Sequence, residues 1–222
     1  MPDPAIGPAS PEPAPTGSRA GLILGGGRSR RLGQDKLTLK IDGLALLERV
    51  ARRLASVVDE VMLVLAQGQE TPALAETLPV RVVRDLERGK GVLGGLYSGL
   101  AQAGAQVVVA VACDMPFLDP ALIRHLLDLS HGYDVVMPVL AGRPEPLHAV
   151  YTRSCLEPMA ATLGKGGLKI VDFFPRVRVK YVDENESPSL DPRHLSFFNI
   201  NTAQDLARAR ELLALEKDAP DD

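Results

Sequence analysis

Gly25-Gly26-Gly27 is followed at once by Arg28, Arg30, Arg31 and Lys36, and these residue types at this spacing are suited to holding phosphate. Glycines let the backbone turn sharply and bring its N–H groups close to an anion with no Cβ in the way. Arginine grips phosphate through a bidentate fork, and lysine acts as a point charge. The loop leaves the apolar stretch Gly21–Leu24, so it opens at the end of a buried strand, where α/β folds bind ligands. That position favours phosphate binding over a solvated surface turn.

The Walker pattern G-x-x-x-x-G-K-[ST] is absent: Lys90 and Lys165 follow a glycine, but each is itself followed by glycine. A P-loop ATPase or kinase is therefore disfavoured. Gly89–Gly94 matches G-x-G-x-x-G formally, yet it does not come off a first strand, so it is read as a false dinucleotide fingerprint. Asp114 stands where the wholly apolar run Val107–Ala112 ends. A carboxylate there is costly unless it is paired or binds a cation, and Mg²⁺ takes a few carboxylates with phosphate oxygens and water. Asp119 is better placed to cap the next helix. Cys113 reads as a small buried hydrophobe rather than a nucleophile. Arg143 and Glu145, stiffened by Pro144 and Pro146, suit a loop that contacts a second substrate. Asn199 and Asn201, two residues apart, would point into one cleft if the segment is extended. Lys165, Gly166 and Lys169 read either as further phosphate contacts or as a solvated helix start. His125, His131, His148 and His194 share no local spacing and are read as structural or surface residues.

Positioning these groups requires alternating strands and helices. Val61–Leu65, Val80–Val83, Val107–Ala112, Tyr133–Met137 and His148–Tyr151 read as strands, and Val177–Val182 as an edge strand. Leu44–Val58 reads as a helix with Leu47, Val50, Ala51 and Leu54 inward and Glu48, Arg49, Arg52 and Arg53 outward. Leu96–Ala103 and Ala121–Leu129 read as two more. A closing helix starts at Thr202, with Asp205 completing a capping-box pattern. The expected fold is α/β: a three-layer α/β/α arrangement around a Rossmann-like, mainly parallel sheet.

Leu22–Lys36 resembles the L-A-G-G-x-S-x-R-M-G-x-D-K signature of nucleotidyltransferases acting on sugar phosphates and molybdopterin. Pro116-Phe117-Leu118 after Asp114, Gly142-Arg143-Pro144-Glu145-Pro146-Leu147, and Phe197-Phe198-Asn199-Ile200-Asn201-Thr202 narrow the resemblance to the molybdenum cofactor guanylyltransferases, over about 20–215. The resemblance implies the nucleotidyltransferase fold, GTP and molybdopterin as substrates, and Mg²⁺ as cofactor. It implies a nucleotide-binding set of Leu24, Gly25, Gly26, Gly27, Arg28, Lys36, Asp85, Gly94 and Asp114, with Asp114 on the metal and Lys36, Arg31 and Asp114 carrying catalysis. Arg143, Glu145, Asn199 and Asn201 would face the acceptor. Three departures stand out. Gly25 replaces the signature alanine, which would add freedom; Val92 replaces the usual proline of a G-P-L-x-G loop near the base, which would loosen it; and Gln67 falls where the family often has Asn or Ser.

Bulk properties bound the rest. The 222 residues carry a net charge of −3, no tryptophan and 4% aromatics, which argues against a nucleic-acid binder. Two distant cysteines suggest neither zinc nor disulfides, and no apolar run is long enough for a membrane helix, so a cytoplasmic protein is expected. Residues 1–18, rich in proline, read as a disordered tail, 19–216 as a single domain, and 217–222 as a frayed end. Transient contact with molybdoenzymes or cofactor chaperones is an expectation of the same kind. Enzymes using CTP or another nucleotide on molybdopterin or a sugar phosphate, and a non-catalytic nucleotide-binding protein, are the alternatives.

Overall fold

Runs of valine, leucine and alanine too uniform to have a wet face become the inner strands of a sheet covered on both sides. The computed structural model describes residues 18–25, 35–86, 88–183, 186 and 191–217. In chain order the elements are β1 (Arg19–Leu24), β2 (Lys40–Ile41), β3 (Leu44–Ala45), α1 (Leu46–Ala55), β4 (Glu60–Leu65), β5 (Arg81–Arg84), α2 (Gly91–Gln102), β6 (Val107–Ala112), α3 (Pro120–Asp128), β7 (Val135–Leu140), β8 (Arg143–Pro144), β9 (His148–Thr152), α4 (Leu156–Gly164), β10 (Val179–Asp183) and α5 (Ala203–Lys217). The sheet runs β10-β7-β9-β6-β1-β4-β5, with β8 beside β7 and β10 at an edge. β1 pairs in parallel with both β4 and β6, β4 with β5, and β7 with β10; β9 runs antiparallel between β6 and β7.

Side chains alternate between two cores. Leu22, Leu24, Met62, Val64 and Ala110 face Leu93, Leu96 and Leu100 of α2 and Met159 of α4. Ile23, Leu63, Leu65, Val109 and Val111 face Leu47, Val50 and Leu54 of α1 and Leu122 and Ile123 of α3. The expected three layers follow directly. The chain passes from β1 outward through β4 and β5, then returns to β6 on the other side of β1. That reversal makes the space beyond the ends of β1 and β6 the natural ligand crevice. Leu24 with Gly25, and Asp114, stand at those two ends.

A third cluster lies outside the layers. Leu39, Ile41 and Leu46, from the β2–β3 hairpin and the start of α1, pack with Phe117, Ile200, Ala209, Leu212 and Leu213. It clamps the closing helix onto the segment that carries Lys36.

Several local expectations need correction. The α1 helix begins at Leu46 because Leu44–Ala45 pairs with Lys40–Ile41 instead. Its arginines are not all solvated: Arg49 donates to the Ile41 carbonyl and Arg53 to the Leu118 carbonyl. The α2 helix starts five residues early, so the Gly91–Leu96 stretch is its first turns rather than a loop, and Val92 loosens no loop. Lys165 caps the end of α4, not a helix start, and Gly166 takes φ +84° to leave it. Ala141 and Gly142, both with positive φ, form the two-residue turn joining β7 to β8.

Candidate functional site

Lys36 and Asp114 meet although 78 residues separate them. Lys36 Nζ donates to Asp114 Oδ2 at 2.5 Å and to Asn201 Oδ1 at 2.7 Å. Three chain segments fix this geometry. Asp35 Oδ1 accepts from the Leu37 N–H, and buried Leu37 and Leu39 anchor the turn that follows Lys36 through their carbonyls, which accept from Leu47 and Leu46. Asp114 follows the β6 ladder directly and is 8% exposed. Its carbonyl accepts from the N–H of buried Ile200, which places Asn201 beside the lysine.

With side-chain exposures of 15% and 12%, the Lys36–Asp114 pair is shielded enough to persist. Asp114 Oδ1 is buried and accepts no hydrogen bond among the described residues. A buried carboxylate oxygen without a donor is a ready ligand for a hard cation, so the chemistry fits Mg²⁺. No group of three or more His, Cys, Asp or Glu that could hold a metal occurs among the described residues.

Asp85 follows β5, with its N–H on the Leu65 carbonyl. Burial pushes its pKa up, and its Oδ1 also lacks a partner among the described residues. The glycine beside it is Gly95, where an added Cβ would lie 3.4 Å from Asp85 Oδ1; Gly94 faces the Lys90 side chain instead. Gln67 ties this region together. Its amide donates to the carbonyls of Asp85 and Leu86 and its oxygen accepts from Arg88 Nε.

Gly25 differs from expectation in two respects. Its N–H donates to the Val64 carbonyl at 2.9 Å, extending the β1–β4 ladder, so that N–H is already taken and does not join a phosphate cradle. A Cβ on it would come within 2.9 Å of Leu63 Cδ1 and 3.0 Å of Leu65 Cδ2. The glycine is thus set by space rather than by backbone freedom. Gly26, Gly27, Arg28 and Arg31 lie outside the described residues.

On the acceptor side, Arg143 is exposed in β8 and Glu145 is half-buried. Burial raises the Glu145 pKa, and nearby Arg143 opposes that rise. No hydrogen bond or ion pair between described residues ties either one to the Lys36 cluster. The two asparagines diverge: Asn201 reaches Lys36, whereas the Asn199 amide donates to the Phe197 carbonyl two residues back. The segment leaves the Leu195–Phe197 3₁₀ turn in extended backbone at Phe198 but joins no strand of the sheet.

Burial pushes Cys113 up to about 12, which makes its thiol inert as expected. His148 is fully buried at the start of β9, bonded to Ser196 Oγ, with its pKa depressed to about 3 by burial. It stays neutral and acts structurally. Asp119 caps α3 through the N–H groups of Ala121 and Leu122.

The chain is similar to several known proteins. The profile described as MobA-like NTP transferase domain matches residues 21–177. A probable molybdenum cofactor guanylyltransferase of Pelotomaculum thermopropionicum is 42% identical, over 86% of this chain and 91% of its own length. The molybdenum cofactor guanylyltransferase of Desulfosudis oleivorans is 35% identical, over 85% and 93%. The crystal structure of molybdopterin-guanine dinucleotide biosynthesis protein A from Archaeoglobus fulgidus is similar, with TM-score 0.78 at 29% identity, over 88% of this chain and 99% of that one. These relatives, with the lysine–carboxylate pair beside the reversal of a doubly wound sheet, place the chain in the MobA-like NTP transferase family, among the nucleotidyltransferases known as molybdenum cofactor guanylyltransferases.

Proposed function

We propose that this protein transfers GMP from GTP to the phosphate of molybdenum-bound molybdopterin, giving the guanine dinucleotide cofactor and pyrophosphate. The observation that carries this reading is Lys36 Nζ held against Asp114 and Asn201 at the mouth of the β1–β6 crevice. An ionised phosphate monoester is already a nucleophile. Its oxygen forms the new bond to the α-phosphorus of GTP, and the bond to the β-phosphate oxygen breaks, with the electron pair leaving on pyrophosphate. No general base is needed; what matters is alignment and neutralisation of charge.

Each residue then has a part. Lys36, with Arg31 and Arg28, balances the triphosphate and the departing pyrophosphate. Asp114 is the residue that would hold Mg²⁺, whose Lewis acidity would neutralise phosphate charge. Gly26 and Gly27 offer backbone donors, while Leu24 and Gly25 form the floor at the end of β1. Asp85, with Gly95 packed beside it, and Gly94 face the nucleotide. Asn201 orients Lys36, and Arg143, Glu145 and Asn199 serve the acceptor. Residues 19–216 act as one catalytic unit in this reading. No described helix is long and apolar enough to cross a membrane.

The test is pyrophosphate release from purified protein with Mg²⁺ and molybdenum-loaded molybdopterin, comparing GTP, CTP and ATP. Release with GTP supports the proposal. A preference for CTP would retain the chemistry and change the base, and no release with any triphosphate would overturn it.

A further inference from the structure

The closing helix does more than cover the crevice. The Asp205 carboxylate, at the third position of α5, accepts from the N–H of Thr202 at 2.8 Å and from the N–H of Asn201 at 2.9 Å through the same Oδ2. Thr202 Oγ1 returns a bond, accepting from the Asp205 N–H at 3.1 Å. An ordinary capping box needs only the reciprocal Thr202–Asp205 pair. The bond to Asn201 goes one residue further, to the residue whose side chain accepts from Lys36.

On the opposite side the same strip of backbone is pinned by Ile200 N–H to the Asp114 carbonyl. Asn201 is therefore held from both directions, through its neighbour Ile200 on the Asp114 carbonyl and through its own N–H on the Asp205 carboxylate. Asn201 itself is exposed, so packing does little to fix its rotamer or its backbone. Without the Asp205 carboxylate the N–H groups of Asn201 and Thr202 lose their acceptor, and α5 holds the strip only at Thr202, through the bonds from the Leu206 and residue-205 N–H groups.

We infer that Asp205 is a positioning residue for the transfer reaction, acting through the Asn201 backbone to set where Lys36 Nζ stands. It touches no substrate in this role. The inference rests on the proposed reaction, and a displacement of the lysine by a fraction of an ångström to one ångström is enough to slow a reaction governed by alignment. The charge of Asp205 also senses Lys36, which contributes to the lowering of its pKa, after the larger effect of the Asn201 N–H bond.

The experiment compares variants by steady-state pyrophosphate release and thermal melting. Asp205→Ala should lower kcat by about ten-fold while KM for GTP moves by less than about two-fold. Thr202→Val removes the reciprocal cap but leaves both bonds to Asp205 Oδ2. It should lower the melting temperature by about 2–4 °C, as a lost cap does, with kcat unchanged. Asp205→Asn keeps an acceptor oxygen and should recover most of the kcat lost in Asp205→Ala; an equal loss in both would assign the effect to charge and overturn positioning. In an Asn201→Ala background, Asp205→Ala should add less than about two-fold, because the intermediary is gone. Full additivity, an unchanged kcat in Asp205→Ala, or equal kcat losses in Asp205→Ala and Thr202→Val would each overturn the inference. An inactive wild type would instead count against the transferase reading itself.

Discussion

Replacing Lys36 by methionine separates what the Lys36–Asp114 pair does for the fold from what it does for the reaction. Methionine keeps the apolar stem of the lysine and removes only the ammonium. Asp114 then loses the cation on Oδ2, and its Oδ1 already lacks a donor among the described residues. A hydrogen bond to a charged group contributes about 1.5–3 kcal/mol. Stranding a fully buried charge costs about 3–5 kcal/mol. With the Asp114 side chain 12% exposed, water can partly replace the ammonium, so a loss of about 2–3 kcal/mol is expected. In a domain of this size that lowers the melting temperature by roughly 5–10 °C. Adding Asp114→Asn removes the stranded charge, so the double variant should recover to within about 3 °C of wild type, a strongly non-additive result. Turnover should behave in the opposite way. Each single variant should lose about 10²–10³-fold, and the double variant should recover nothing, because transition-state charge is still left uncompensated. Differential scanning fluorimetry and pyrophosphate release, run on the same preparations, read both effects. Additive melting temperatures, or turnover recovered in the double variant, would refute the reasoning.

Three further outcomes are expected. Gly25→Ala forces a methyl group against Leu63 and Leu65, and should cost about 1–3 kcal/mol by urea denaturation; Leu63→Val in the same chain should cost less than the sum of the two changes. Burial depresses the His148 pKa from 6.5 to about 3, so in that window the unfolded chain binds a proton that the native chain refuses. Stability from this residue is complete above pH 6.5 and falls as pH drops, by about 2 kcal/mol at pH 5. His148→Gln should flatten that part of the pH–stability curve relative to wild type. Asp119→Ala removes the α3 cap, and should lower the melting temperature by about 2–4 °C with no change in turnover, measured on the same preparations.

The parts of the molecule legible in the sequence are those governed by local rules. β1, β4 and β6 are uniformly apolar, and a strand buried on both faces requires that. Asp114 stood out because a carboxylate at the end of such a strand needs a partner, and Lys36 is that partner. The Thr202–Asp205 capping box was visible from residue types alone. The beginning of α2 was not, because Gly91, Gly94 and Gly95 argue against a helix by propensity, as Gly99 does further along. Packing overrides them: a Cβ on Gly99 would lie 2.7 Å from Leu22 Cδ1 and 2.9 Å from Val64 Cγ2, so the small residues let α2 approach the sheet. The bond from Lys36 to Asn201 spans 165 residues and has no local trace. The hydrogen bond that takes the Gly25 amide into the sheet was hidden for a similar reason, since a glycine run shows where a loop begins only to within a residue or two.

The most direct test of the central claim follows the phosphorus atoms. GTP labelled separately at the α- and γ-phosphates is supplied with Mg²⁺ and molybdenum-loaded molybdopterin, and the label is located by chromatography. The α label should appear on the molybdopterin product and the γ label in pyrophosphate, with both transfers lost in Lys36→Met and in Asp114→Asn. An α label that stays in free GMP or GDP, or that reaches the acceptor equally well without Lys36 and Asp114, would contradict the assignment of the reaction to this site.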